Sequence, residues 1–170
     1  LFHFDADETL VDDAIQSVAT TSEEAANVTV MPIASDGLGL AVVKGEDDPV
    51  QGWGNDPWRP VPTAVYSFSG RGTTWMAYAV VPSRAGGNCP IASVKQVGDD
   101  QKTLAVTVNF VDGRKDLIHI AHEKGAEKIF GNYASDCEIA VVRLDADGSV
   151  SSTFAVGGTL IESPVGRREQ

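Results

Sequence analysis

Turn signals recur through this chain at hairpin spacing, and they leave little room for anything but short strands. Between them run β-branched or alternating segments: "NVTVMPI" at 27–33, "GLAVV" at 39–43, "TAVYSFS" at 63–69 and "TTWMAYAVVP" at 73–82. "IASVKQV" (91–97), "TLAVTVNFV" (103–111), "KDLIHIA" (115–121), "EIAVVRL" (138–144), "SVSSTFAV" (149–156) and "GTLIES" (158–163) continue the series. Period-2 alternation marks strands, because successive side chains leave opposite faces. The connectors "GDDQ", "VDGR", "DADGS" and "VGG" are good turns, and Asp147-Gly148 suits the positive φ values of a tight hairpin. Only "SEEAAN" (22–27) has a helical look, and it is too short to hold a helix by itself. The expected fold is all-β: an antiparallel β-sandwich built from hairpins and meanders, one domain over 1–165 with a frayed tail at 166–170.

The 170 residues, 42% of them hydrophobic and 22% charged, suffice for one sizeable core. No apolar run approaches the roughly 18 residues that cross a bilayer, so no membrane association is expected. A formal charge of −11 argues against nucleic acid and anionic membranes, whose binding depends on Lys and Arg meeting phosphate. It also disfavours an acidic polysaccharide unless a local basic pocket intervenes. The abrupt start at "LFHFDADE", without Met or signal peptide, suggests a processed chain or a piece with something before it.

Candidate chemistry is sparse. Cys89 and Cys137 are a possible disulfide in a secreted protein, and no Cys-x-x-Cys suggests a thiolate metal site. His119 and His122 are three apart, so on a strand they face opposite ways and do not chelate together unless the chain turns at Ala121. One is expected half-buried and the other solvated. "DADET" and "DADGS" fail the spacing of a calcium loop and read as turns, and "GEDDP" as a solvated acidic loop. Asn27-Val28-Thr29 is a sequon inside an expected strand and reads as accidental. Neither a nucleophile elbow nor a phosphate loop is present.

One segment stands apart. "QGWGNDPWRP" (51–60) places Trp53, Trp58 and Arg59 in a Gly- and Pro-rich stretch that reads as loop. The two indoles either close an open end of the sandwich or offer a platform to a flat ring such as a sugar, with the Arg59 fork available to a carboxylate.

Four pieces in a fixed order resemble the C-terminal β-sandwich portion of heparinase II/III-like polysaccharide lyases: "LFHFD", "KGEDDPVQGWGNDPWRPVPT", "TTWMAYAVVP" and "CEIAVVRLDADGSVSSTFAVGGTLIE". One departure is the Gly after Gly52-Trp53, where the family often has Ser. The resemblance implies an upstream α/α toroid on which this sandwich packs, in a secreted or periplasmic enzyme that cleaves uronic-acid polysaccharides by β-elimination. The family's catalytic Tyr, His and Asn lie upstream of Leu1, so no catalytic residue is expected in this chain. The resemblance also implies a structural zinc in the full-length protein, with His3 matching one ligand and the others upstream. The expected function is a supporting part of such a lyase, non-catalytic alone. The alternative is a stand-alone carbohydrate-binding module, or a structural sandwich, that uses the Trp53/Trp58 loop.

Overall fold

The computed structural model describes residues 1–33, 37–71, 76–97, 103–123, 125, 128–130 and 132–162. The fold is all-β and antiparallel throughout, without a helix among the described residues. The 22–27 segment that looks helical is a bend closed by one asparagine. Asn27 Oδ1 accepts from the Ser22 amide at 2.6 Å, and Asn27 Nδ2 donates back to the Ser22 carbonyl at 2.8 Å. Asn27 is 7% exposed with its amide engaged, so the sequon holds no free acceptor for a glycan.

Contacts divide the chain into two compact units, Leu1–Cys89 and Pro90–Gln170, where the periodicity alone suggests one sandwich over 1–165. In the first unit, β1 (Phe2–His3), β10 (Thr63–Phe68) and β5 (Leu38–Val43) form a sheet in the order β1-β10-β5. A second sheet has the order β11-β4-β3-β2, from β2 (Thr9–Asp12), β3 (Ser17–Thr20), β4 (Asn27–Pro32) and β11 (Tyr78–Ser83). Both sheets contribute to one core: Phe4, Val18, Val30 and Ala64, flanked by Phe2, Leu40, Val42 and Tyr66. Each large side chain buried there contributes about 1.5–3 kcal/mol. Tyr66 ties the sheets together by donating its hydroxyl to the Gln16 carbonyl at 2.9 Å. Burial, then the neighbouring Tyr78, pushes its pKa up to about 12.

The second unit repeats the plan. A five-stranded sheet runs β12-β13-β14-β17-β18, from β12 (Ile91–Gln96), β13 (Thr103–Phe110), β14 (Lys115–Ala121), β17 (Ile139–Leu144) and β18 (Val150–Val156). A three-stranded sheet runs β15-β16-β19, from β15 (Lys128–Phe130), β16 (Tyr133–Ser135) and β19 (Leu160–Glu162). Their shared core holds Ala105, Leu117, Phe130, Tyr133, Cys137, Ala140 and Val142. The β17–β18 turn is wider than a two-residue loop. The Asp145 amide donates to the Ser149 carbonyl at 2.8 Å, and the Gly148 amide returns to the Asp145 carbonyl at 2.9 Å. Gly148 alone takes positive φ, at +85°, while Asp147 Oδ1 accepts from the Ser149 amide. The expected frayed tail at 166–170 lies outside the described residues.

Candidate functional site

Residues 46–60, expected as loop, fold into two miniature hairpins. β6 (Glu46–Asp47) pairs with β7 (Val50–Gln51), and β8 (Trp53–Asn55) with β9 (Trp58–Pro60). Each turns on an Asp-Pro pair, the same residues that make the segment read as irregular. Gly52 joins the hairpins. Its carbonyl accepts from the amides of Gly45 at 2.9 Å and Val61 at 2.8 Å, and its φ is +74°. A Cβ there would sit 2.7 Å from Lys44 Cα, so glycine is required both for the dihedral and for the close approach.

In β8–β9, Trp53 stands opposite Pro60 and Asn55 opposite Trp58, which puts both indoles diagonally on one face. They stack with centroids 5.2 Å apart and planes 6° from parallel. The two rings have different roles. Trp53 is half-buried and donates its indole N–H to the Glu46 carbonyl at 3.0 Å, so it is anchored to the neighbouring hairpin. Trp58 is 61% exposed and lies on Trp53. The result is a rigid aromatic plate with one ring as its support and the other open to solvent.

Arg59 does not join this plate. It follows Trp58 directly on the strand and therefore leaves from the opposite face. Its Nη2 meets Asp5 Oδ1 at 2.5 Å and its Nη1 meets Asp7 Oδ1 at 3.3 Å. The guanidinium fork expected for a ligand carboxylate is thus occupied by two carboxylates of the same unit. On that side lies a cleft of about 360 Å³ lined by Asp5, Asp7, Glu8, Thr20, Ser22 and Arg59. Three acids against one guanidinium make it an unfavourable place for an anion. Residues 5–9 have the sequence of a simple turn, yet Asp5 and Asp7 within them hold Arg59, a pairing 52–54 residues apart that no local pattern signals.

The other candidates stand apart. His3 is exposed, with Nδ1 3.0 Å from Thr63 Oγ1. Among the described residues no group of three His, Cys, Asp or Glu could hold a metal, so the described donors around His3 do not by themselves fit a zinc, which needs three or four. Cys89 and Cys137 are both free, and Cys137 is fully enclosed in the core of the second unit. His119 is neither half-buried nor solvated but 0% exposed, between Ala105 and Ala140 in register. Desolvation and then the Lys128 charge push its pKa down. The second unit also has an open cavity of about 550 Å³, where Lys115 stands beside Leu117, Tyr133, Leu144 and Ser149. Tyr133 there is 7% exposed and offers no open ring. No family model matches the chain, and none of the curated proteins compared with it does.

Proposed function

We propose that this chain is a non-catalytic, carbohydrate-contacting β-sandwich part of a polysaccharide-acting protein, with Trp58 as its sugar platform. The open face of Trp58 on the anchored Trp53 carries the reading. A pyranose presents a flat apolar C–H face, and a pre-stacked indole meets it with little loss of side-chain freedom. The resemblance in the order of these sequence pieces to heparinase II/III-like lyases is consistent with a supporting role beside an upstream α/α toroid, in a secreted or periplasmic protein. Two observations favour the supporting role over catalysis in this chain. Tyr66, a candidate proton acceptor by residue type, is held protonated by burial and already donates to a carbonyl. Arg59, a candidate partner for a uronate carboxylate, is already paired with Asp5 and Asp7. In this reading the acidic groups of the glycan meet the upstream part, and this chain contacts ring faces.

Affinity electrophoresis at 10 °C through neutral and uronate polysaccharides tests the platform. The chain is expected to be retarded by at least one glycan. Trp58→Ala should weaken that retardation about tenfold, and Trp58→Phe should restore part of it. A folded Trp58→Ala protein retarded like the parent rejects the platform. Formation of unsaturated uronate by the chain alone rejects the non-catalytic role.

A further inference from the structure

The core of the second unit contains polar atoms with nothing to bond. His119 is 0% exposed, and neither Nδ1 nor Nε2 has a hydrogen-bond partner. Thr103, 2% exposed, has an equally unpartnered Oγ1. In register, His119 pairs with Ala105 on one side and Ala140 on the other, and Thr103 lies two residues from Ala105 on the same face. The imidazole stacks on Phe130 with centroids 5.5 Å apart and planes at 22°. Its surroundings are therefore two alanines, an aromatic ring and an orphan hydroxyl. Among the described residues, the titratable groups on the elements around this core include Lys128 on β15, Tyr133 on β16 and the Cys137 thiol ahead of β17, with Glu162 on β19 in register with Tyr133. Thr103, Ala105, Ala140 and Val142 are the facing positions on β13 and β17.

A neutral ring tolerates this place at the cost of its unmade hydrogen bonds. An imidazolium needs two acceptors and a counter-charge, and the charge that acts on this ring is a like one, Lys128. We infer that His119 makes the second unit acid-labile: protonation of this single buried ring separates its two sheets, so that mild acid opens the unit reversibly. The sign follows from linkage. An unfolded histidine takes up its proton near pH 6.5, and the folded ring does so only at lower pH. The unfolded state therefore binds more protons below about 6.5, and stability falls as pH drops. While the folded ring stays neutral, the opening equilibrium rises about tenfold for each pH unit below that point.

Amide hydrogen exchange on the full chain tests this. Protection of β13, β14 and β17, corrected for intrinsic rates, should fall by more than about threefold and at most about tenfold between pH 6 and pH 5 in the parent. In His119→Leu it should change less than about threefold over the same range. All three tryptophans precede Pro90, so their fluorescence reports on the first unit as an internal control. Equal loss of protection in His119→Leu overturns the inference and assigns the acid sensitivity elsewhere. Histidine NMR on the parent decides the matter even where the variant fails to fold. The His119 ring should remain neutral for as long as folded signals persist, and a ring that titrates near pH 6.5 within the folded state overturns the inference.

Discussion

Asp116 and Arg143 illustrate what a single pair adds to a sheet. They are cross-strand partners on β14 and β17, and their contact is bidentate, with Nε to Oδ1 at 2.7 Å and Nη2 to Oδ2 at 2.6 Å. The hydrogen bonds that the guanidinium donates to Asp116, and then the carboxylate charge, push its pKa further up. The carboxylate side chain is only 10% exposed and the guanidinium 41%, so loss of the arginine strands a nearly dry charge. Arg143→Ala should cost about 1–3 kcal/mol in urea unfolding, and Asp116→Asn, which keeps one acceptor, about 1 kcal/mol. A double-mutant cycle should return a coupling of at least about 0.5 kcal/mol, and zero coupling would mean that the two residues act independently. Nothing in the sequence shows this pair, because its members are 27 residues apart and meet only through strand register. The same limit applies to the aromatic plate. Two neighbouring tryptophans were visible as candidates, but which one packs and which one opens depends on the Glu46 carbonyl, which carries no side-chain signal.

At the level of elements, several strands with clear alternation were legible almost to the residue, whereas the described part of the expected 73–82 span is strand only from Tyr78, ending at Ser83. Expected spans at 63–69, 103–111 and 115–121 are strands Thr63–Phe68, Thr103–Phe110 and Lys115–Ala121. The short ones were not. β2 (TLVD), β15 (KIF) and β16 (YAS) have too few residues for a period, and they are strands because a neighbour pairs with them. The 46–60 hairpins were masked by their own Gly and Pro content, although Gly is what lets them meet. Gly52→Ala tests that junction. It adds a Cβ 2.7 Å from Lys44 Cα to a φ of +74°, and both errors involve backbone that cannot move aside. We expect a cost of more than about 2 kcal/mol, a drop of roughly 10 °C in the tryptophan-reported transition, and loss of glycan retardation. Gly148→Ala is the comparison. Its φ is +85°, but nothing lies within 4 Å of the added carbon, so only the dihedral strain remains, about 1 kcal/mol.

At the scale of the whole molecule, the repetition of strands and turns was enough for an all-β antiparallel fold. The division after Cys89 falls in "SRAGGNCP" (83–90), a Gly-, Asn- and Pro-containing connector that reads as one more turn between alternating segments, so the periodicity does not single it out as a boundary. Charge is the other whole-chain property, and it separates two ways of holding a glycan. A formal −11 repels a polyanion at long range, whereas ring stacking on Trp58 is a short-range contact indifferent to salt. Retardation by a neutral glycan should therefore change less than about twofold between roughly 50 and 500 mM NaCl. A polyuronate or sulfated glycan should not retard the isolated chain even at the lower value, where screening is weakest. Retardation by a polyanion that disappears with salt would point to a local cation, with Lys115 beside its open cavity the first residue to replace. In that case Trp58→Ala would leave binding intact and Lys115→Ala would remove it, which inverts the roles argued for the two units.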